Sequence, residues 1–396
     1  MMKTATRLIS SPDAIAAVRP QWDELWARAG GSYVQSPASC LAAWQHILQP
    51  QSARLSIAVS FEGDRLVALW PLHLRRRGLW RVLSQVGPMA AEFSNVLVEP
   101  GPLARQRVAA LWSAVGRASI ADLAIVPFVN PATPLGAVLG ADRRVVAADR
   151  DTAPYVAWRE GETWDGYYKS LSASYRKVQN KKRRQLLELG DMRFDVVSDP
   201  ARTPGLISWM LREKRVWADR ANKRGAWLFS SAYEAYLTSL VTERNSAAEF
   251  VVFLLSRDDE PVAAQFAMVG PCHVDWILAS FASQLARFSP GTILNEHCLK
   301  FAHDRGLNVE SGAGREENKL FWSRSEAHET VNFRLALSPW GAVGERASRL
   351  ATQVRARLKQ RRPRSGVAAP PDQAGDPAGD PAGDPAGGAQ VSGASA

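Results

Sequence analysis

The chain has 396 residues, enough for two domains and a tail, and its composition of 46% hydrophobic and 22% charged residues is ordinary for a globular protein. No apolar run approaches the roughly 18 residues of a membrane span, and the first residues lack the apolar stretch of a secretory signal. We therefore expect a cytoplasmic protein without transmembrane segments. The three cysteines, Cys40, Cys272 and Cys298, predict neither a disulfide framework nor a metal site.

The formal net charge of +10 comes from two short segments. Residues 176–184 hold six basic residues and no acid, and residues 345–364 hold eight basic residues and one acid, so together they contribute +13. The rest of the chain is slightly acidic. This distribution argues against a basic nucleic-acid-binding domain and indicates two local patches.

Residues 1–150 predict one α/β unit. Its elements are a helix at 12–30, a second helix at 37–48 and a hairpin of 54–61 with 65–74. Two short strands at 82–86 and 95–98, a helix at 103–118 and a strand at 122–126 follow. Trp22 and Trp26 are at helical spacing in the first helix, which Gly30 ends. Residues 127–151 show no clear periodicity.

Residues 151–340 repeat this order of elements. A largely helical segment at 163–189 precedes a strand at 192–197 and two helices at 204–221 and 231–244. Three strands at 248–256, 261–269 and 273–281 come next, followed by a helix at 292–304 and strands at 307–310 and 330–337. Since the order recurs without sequence identity, we predict an α/β fold of two tandem units. Each unit is a mixed twisted sheet flanked by helices, with locally parallel strand pairs.

Two further segments follow these units. Residues 341–362 predict a basic helix, which either contacts an anionic surface or is a solvated helix face. Residues 363–396 consist mainly of Gly, Pro, Ala and Asp in repeated Ala-Gly-Asp-Pro units. Such a tract cannot bury enough apolar surface to fold, so we predict a disordered tail.

A Pro-Gly turn in the second unit is the strongest candidate ligand site. Ser289-Pro290-Gly291-Thr292 follows the apolar strand 273–281 and opens a helix. The first amide groups of a helix lack partners, and Gly291 has no Cβ to keep a phosphate away. The position after a strand and before a crossover helix is also where open α/β sheets bind ligands.

Two other segments carry candidate residues. The basic helix at 176–184 is either a phosphate contact in a cleft or a solvated face. Glu316, Lys319 and Trp322 cluster after the loop Gly312-Ala313-Gly314, and they suit either a general base with its acceptor site or an exposed helical turn. Familiar dinucleotide, phosphate-loop, zinc and nucleophile-elbow motifs are absent, which predicts no metal.

Several motifs together resemble the GNAT (Gcn5-related N-acetyltransferase) superfamily, in particular its CelD-like branch associated with cellulose and exopolysaccharide biosynthesis. They cover roughly residues 10–337 and include, in order, Val67 to Leu72, Ser174-Tyr175-Arg176, Arg287 with Pro290-Gly291, and Gly312, Glu316, Lys319 and Trp322. The architecture is also similar to the Fem-type peptidoglycan aminoacyltransferases, which pair two GNAT-like units.

The resemblance implies transfer of an acyl group from acetyl-CoA or another acyl-CoA to an amine, on a small molecule or a glycan. Arg287, Pro290, Gly291 and Thr292 would bind the donor, although the usual glycine-rich pyrophosphate loop has a single Gly here. Glu316 would be the catalytic base. The substrate-binding residues would be Arg176, Lys319 and Trp322.

Two alternatives stay open. One is aminoacyl transfer from charged tRNA, in which the helix at 176–184 contacts the RNA backbone. The other is a non-catalytic scaffold that assembles with polysaccharide-biosynthesis proteins. In the scaffold both pockets would be vestigial, whereas in the acyltransferase the first unit is expected to be degenerate and to help form the acceptor cleft.

Overall fold

The computed structural model describes residues 4–88, 93–222, 225–242, 247–314 and 316–361. The α-helices are α1 Pro12–Ala29, α2 Pro37–Ala43, α3 Ala104–Ala118, α4 Pro134–Gly140, α5 Trp164–Ser170, α6 Ala173–Leu187, α7 Thr203–Arg220, α8 Ser231–Thr242, α9 Pro290–Asp304, α10 Glu317–Trp322 and α11 Pro339–Arg361. The strands are β1 Thr4–Ile9, β2 Arg54–Glu62, β3 Arg65–Arg77, β4 Trp80–Gln85, β5 Leu97–Val98, β6 Leu123–Val129, β7 Val145–Val156, β8 Met192–Val197, β9 Glu249–Arg257, β10 Glu260–Val269, β11 His273–Phe281, β12 Asn308–Glu310 and β13 Ala327–Ala336.

The strands form one mixed sheet with the order β1-β2-β3-β4-β6-β13-β7-β12-β11-β10-β9-β8, and β5 pairs with β3. Two pairs are parallel, β4 with β6 and β11 with β12, and each has a helix in its crossover. The other described pairs are antiparallel. This arrangement confirms the predicted mixed α/β fold with two similar sets of elements.

The two halves exchange strands where they meet. The first ten residues of β7 pair with β13, while its last two, Tyr155 and Val156, pair with β12. Strand β13 comes from the second half but lies between β6 and β7, so it completes the sheet of the first half. The predicted boundary between residues 150 and 151 therefore falls inside a strand that both halves use.

One hydrophobic cluster is shared by the two halves. Trp22 and Trp26 of α1 are almost fully buried in it, and their indole N–H groups donate to backbone carbonyls 2.9 Å away. On the other side, Tyr236 of α8 is fully buried and its hydroxyl lies 2.8 Å from Ser39 Oγ of α2. Burial of each such large side chain stabilises the fold by about 1.5–3 kcal/mol, so separating the halves would be costly.

The predicted elements differ from the structure in several places. Strand β1 is not predicted, and the helix predicted at 163–189 is divided into α5 and α6. Residues 127–151, left unassigned, contain the end of β6, helix α4 and most of β7. The second predicted helix ends at Ala43 and continues as a π-helical turn, Trp44–Leu48. The predicted tail at 363–396 lies outside the described residues. Within the described ranges, no helix is both long and apolar enough to cross a membrane.

A buried ionic contact links the halves at the start of β11. Asp275 Oδ2 accepts a 2.5 Å hydrogen bond from the backbone N–H of Tyr33, and Asp275 Oδ1 lies 3.2 Å from His273 Nε2. Burial alone would lower the pKa of His273, but the charges of Asp275 and Glu310 outweigh it and raise that pKa from 6.5 to about 9. His273 is therefore a cation at neutral pH.

We expect the substitution His273→Gln to destabilise the protein in a pH-dependent way. Because the folded-state pKa lies above the unfolded value, the contribution of His273 to the free energy of unfolding is complete below about pH 6.5 and disappears as the pH rises through about 9. The variant should be about 1–3 kcal/mol less stable than the wild type at pH 6 and nearly equal to it at pH 10, by urea unfolding. A difference that stays constant with pH would contradict this assignment.

The start of α11 is fixed against the first half. Trp80 stacks on Trp340 with ring centroids 5.6 Å apart, and the Asp122 carboxylate accepts a 3.0 Å hydrogen bond from Ser338 Oγ. Gly341 packs so closely that a Cβ there would lie 1.8 Å from the backbone oxygen of Asp122. Only glycine fits at this contact.

Gly341→Ala should therefore destabilise the protein by about 1–3 kcal/mol, because a backbone carbonyl cannot move aside as a flexible side chain can. The matched control is Gly205→Ala in α7, where a Cβ would meet nothing within 4 Å. That substitution should stabilise the protein by up to about 1 kcal/mol, since alanine favours a helix over glycine. Thermal or urea unfolding of both variants measures the two effects, and equal shifts would show that Gly341 is not held tightly.

Candidate functional site

A cleft opens where β11 and β12 separate. The two strands are parallel and paired over three residues only, from His273 with Asn308 to Asp275 with Glu310. Beyond that point β11 continues beside β10 to Phe281, while the chain after Glu310 leaves the sheet as a loop. The β12-facing edge of β11 therefore presents unpaired backbone groups to the cleft.

A β-bulge in β11 lies just beyond Asp275, the last residue of β11 that pairs with β12. Phe266 pairs with Leu278 and Ala267 pairs with Trp276, so Ile277 has no opposite residue on β10. Such a bulge takes a backbone group out of the ladder and re-aims its neighbours. The Trp276 indole nitrogen is buried without a hydrogen-bond partner among the described residues. A donor without an acceptor at this position leaves room for a ligand oxygen.

The chain leaves the C-terminal end of β11 at Phe281 and reaches the N-terminus of α9 at Pro290. Ser289 has a left-handed φ of 50° and its side chain makes no helix cap. Instead, Ser289 Oγ accepts a 2.7 Å hydrogen bond from Lys182 Nζ of α6. Burial lowers the pKa of Lys182, so its ammonium is partly removed from water beside the positive end of a helix dipole.

The sequence predicts several backbone N–H groups without acceptors at the start of α9, but among the described residues the structure has one. Pro290 has no N–H, and the backbone N–H of Thr292 donates to Ser289 O at 3.0 Å. The Thr292 side chain hydrogen-bonds with Tyr175, and both Pro290 and Thr292 are buried. Within the described residues, the N–H of Gly291 remains without an acceptor. Sequence alone could not show that α6 covers the turn.

Arg287 lies two residues before Ser289 and is exposed. Its guanidinium carbon lies 4.5 Å from the centroid of the Phe288 ring, and no carboxylate pairs with it in the described part of the chain. Together with Lys182 it gives the start of α9 two cations. Of the residues predicted to bind a donor, Arg287 and Gly291 are thus the accessible ones.

The loop after β12 carries the predicted base. Glu316 Oε2 lies 3.2 Å from Lys319 Nζ, and the same ammonium donates a 2.7 Å hydrogen bond to Ala313 O. The Glu316 carboxylate packs over Gly314, where a Cβ would come within 2.6 Å of it. Lys319 is buried with 6% exposure, so its ammonium fixes the loop and the carboxylate at once.

Two other predicted substrate-binding residues have structural contacts instead. The Arg176 guanidinium donates to the backbone oxygens of Leu171 and Lys169, which anchors the start of α6. Trp322 is 2% exposed and its indole N–H donates to Asn318 Oδ1 at 3.1 Å. Neither side chain is free in this structure to line an open acceptor cleft.

Lys182 was the residue of this site that sequence reasoning did not single out. The sequence places it within the basic helix at 176–184, which predicts either a phosphate contact in a cleft or a solvated face without naming the residue that makes the contact. The signal was the helical spacing of Tyr175, Gln179 and Lys182, which places all three on one face of α6. That face packs on α9, whereas Lys177, Lys181 and Arg184 point away and are exposed.

In the ranges that the structure describes, no group of three His, Cys, Asp or Glu side chains could hold a metal ion. Cys40 and Cys298 are fully buried, and burial raises the pKa of both thiols. They pack in the core rather than act as nucleophiles.

Comparison with known proteins agrees with this architecture. Residues 173–320 match the family model described as an acetyltransferase (GNAT) domain. No curated protein matches the sequence.

Among solved structures, FemX is similar to 82% of this chain over 98% of its own, with 9% identity and a TM-score of 0.56. L-PGS from Bacillus licheniformis is similar over 89% of this chain and 98% of its own, with 13% identity and a TM-score of 0.48. A tandem GNAT protein of the clavulanic acid biosynthesis pathway covers 85% of this chain and 99% of its own, at 15% identity and a TM-score of 0.40.

At these identities the likeness to FemX shows a shared fold and does not transfer a substrate. The matched family segment begins at the first residue of α6 and includes β11, α9, β12 and Glu316. It therefore contains the cleft described above. Residues 173–320 are thus similar to an acetyltransferase (GNAT) domain, and the chain shares its fold with FemX.

Proposed function

We propose that the protein is an acyltransferase whose second half moves an acyl group from acetyl-CoA or another acyl-CoA to an amine. The observation that carries the proposal is the cleft between β11 and β12, which opens beside the cationic start of α9. Parallel strands that separate at their C-terminal ends form the usual binding crevice of α/β sheets. The GNAT domain match over the same residues supports this chemistry.

The donor's pyrophosphate binds at the start of α9. Lys182, Arg287 and the free N–H of Gly291 supply two positive charges and one oriented donor, and the helix dipole adds to them. A partly desolvated ammonium at the positive end of a helix is unfavourable by itself. A bound diphosphate would remove that conflict, which supports an anion as the occupant.

The acyl group lies along the free edge of β11. Backbone N–H groups of that strand near the bulge at Ile277 polarise the thioester carbonyl and stabilise the oxyanion. The acceptor's amine nitrogen attacks the carbonyl carbon, the C–S bond breaks, and the thiolate leaves as the amide forms. Glu316 accepts the proton that the amine loses, and Lys319 holds its carboxylate in place.

The acceptor is a small-molecule or glycan amine. The resemblance to the CelD-like branch supports a substrate of exopolysaccharide or cell-envelope metabolism, with polysaccharide-biosynthesis proteins as partners. Arg176 and Trp322 serve this site by positioning α6 and α10 rather than by touching the acceptor.

Lys182→Ala should weaken acyl-CoA binding by about 10- to 100-fold, because a charge-assisted hydrogen bond to phosphate contributes about 1.5–3 kcal/mol. Lys181→Ala, one residue away on the exposed face of α6, is the matched control and should leave the affinity within twofold. Isothermal titration with acetyl-CoA and with CoA measures both. Equal affinities of the two variants, or no binding of any acyl-CoA by the wild type, would reject the donor site.

Glu316→Gln should lower kcat/KM for acyl transfer by about 100-fold or more and leave the affinity for acetyl-CoA unchanged, since the amide cannot accept a proton. Activity should return in part as the pH rises and free amine replaces ammonium. A full rate at neutral pH would show that the acceptor loses its proton to another group.

Aminoacyl transfer from tRNA is the second candidate. The fold shared with FemX and the exposed bases Lys177 and Arg184 on α6 favour it. If this second function is correct, the affinity for tRNA should fall steeply as the salt concentration rises. The slope of log affinity against log salt concentration is set by the number of phosphates contacted. Binding of tRNA without any acyl-CoA binding would select it over the first proposal. A scaffold would bind neither.

A further inference from the structure

The first half contains a cavity of about 450 Å³ where its own parallel strands separate. Strands β4 and β6 pair from Val82 with Leu123 to Ser84 with Ile125 and then diverge. The end of the π-helical turn, at Ile47 and Leu48, also lines the cavity. This is the volume of an ordinary small-molecule site.

The neighbouring strand β6 is distorted at the same place. Val331 pairs with Val129 and Phe333 with Val126, so β6 has additional residues opposite one residue of β13. Phe128 has a left-handed φ of 47°, and its N–H donates to Asn332 Oδ1 at 2.9 Å instead of to the ladder. A bulky residue in that conformation carries strain, and strain of this kind collects at binding sites.

The lining of the cavity has an unbalanced charge. Arg75, Arg77 and Arg334 face it together with a single carboxylate, Asp149, which leaves a net charge of +2. Arg75 donates to the neutral Gln51 side chain at 2.7 Å. Burial of the guanidinium, and after it the charges of Arg75 and Arg334, lower the pKa of Arg77 to about 10, although part of the residue is exposed to solvent.

Arg77 differs from the other two cations of this group in that its side chain has no partner among the described residues. Arg334 lies 3.4 Å from Glu345, which it shares with Arg349. Within the described residues, the Arg77 guanidinium makes neither an ion pair nor a hydrogen bond, although the backbone of Arg77 pairs with Trp80 in the β3–β4 ladder. A guanidinium placed among like charges destabilises the folded protein unless an anion joins it.

A buried imidazole completes the site. His73 is 6% exposed, lines the cavity, and its Nδ1 has no hydrogen-bond partner among the described residues. Burial and the charge of Arg75 lower the pKa of His73 to about 4, so the ring is neutral. An unpartnered buried nitrogen costs free energy unless a ligand or water satisfies it.

We propose that this cavity binds a small molecule through a phosphoryl or carboxyl group held by Arg77 and Arg334, with His73 bonding to a polar group of the same ligand. Guanidinium groups match both anions with paired hydrogen bonds. The remaining wall is mixed: Val86, Ile125 and Phe333 supply apolar contacts for the body of the ligand, and polar side chains such as Ser84 and Asn332 lie among them. The site is distinct from the donor site proposed at α9.

Three probes of equal apolar size test the site on the full-length protein: phenyl phosphate, benzoate and benzyl alcohol. In isothermal titration, phenyl phosphate or benzoate should bind at least tenfold more tightly than benzyl alcohol, and the stronger of the two identifies the head group. Arg77→Gln should weaken that binding at least fivefold. It should also raise the melting temperature, because it removes a repelling charge.

Arg76→Gln is the matched control, since Arg76 precedes Arg77 on β3 and its side chain points to the other face of the sheet. It should leave the affinity within twofold, as should Lys182→Ala, which alters the proposed donor site. Equal affinity for all three probes, no binding at millimolar concentration, or equal losses in Arg76→Gln and Arg77→Gln would overturn the proposal. Loss of binding in Lys182→Ala alone would place the anion at α9 and overturn it equally.

Discussion

The exchange of β7 and β13 between the halves is the constraint on which the rest of the structure depends. A strand edge left unpaired in a protein interior costs the free energy of its unbonded backbone groups, so β13 must stay between β6 and β7. This fixes the second half against the first, and the shared core around Trp22 and Tyr236 does the same on the helical side. The geometry of each cleft is therefore set by both halves.

Each half has one parallel strand pair that separates, and the surroundings give the two openings different chemistry. In the second half the opening lies beside a helix N-terminus, where Lys182 and Arg287 favour a diphosphate. In the first half the opening is the cavity between strands, which Arg77 and Arg334 line. The residues that line this cavity do not include the N-terminus of a long helix. The two anion sites that we propose would thus differ in their surroundings, one at a helix start and the other between strands.

The sequence predicted most elements because their patterns are local. Strands β9, β10 and β11 are apolar runs bounded by turn residues, and their bounds differ from the predicted ones by a residue at most. Strand β7 was missed because its centre, Asp149 to Asp151, is charged and exposed, so no alternation marks it. The site was harder to predict. Lys182 and Ser289 are 107 residues apart, and only the packing of α6 on α9 brings them together.

Unsatisfied groups indicate function here more directly than motifs do. The usual glycine-rich pyrophosphate loop is absent, yet the Gly291 N–H at the start of α9 and the buried Trp276 indole of β11 both lack a hydrogen-bond partner among the described residues. Burial also lowers the pKa of the Lys182 ammonium, which donates to Ser289 at the start of α9. A natural core pairs nearly all such groups. The unpartnered groups on β11 and α9, like the unpartnered His73 Nδ1 of β3 at the cavity of the first half, therefore support the proposal that each opening is shaped for a polar ligand.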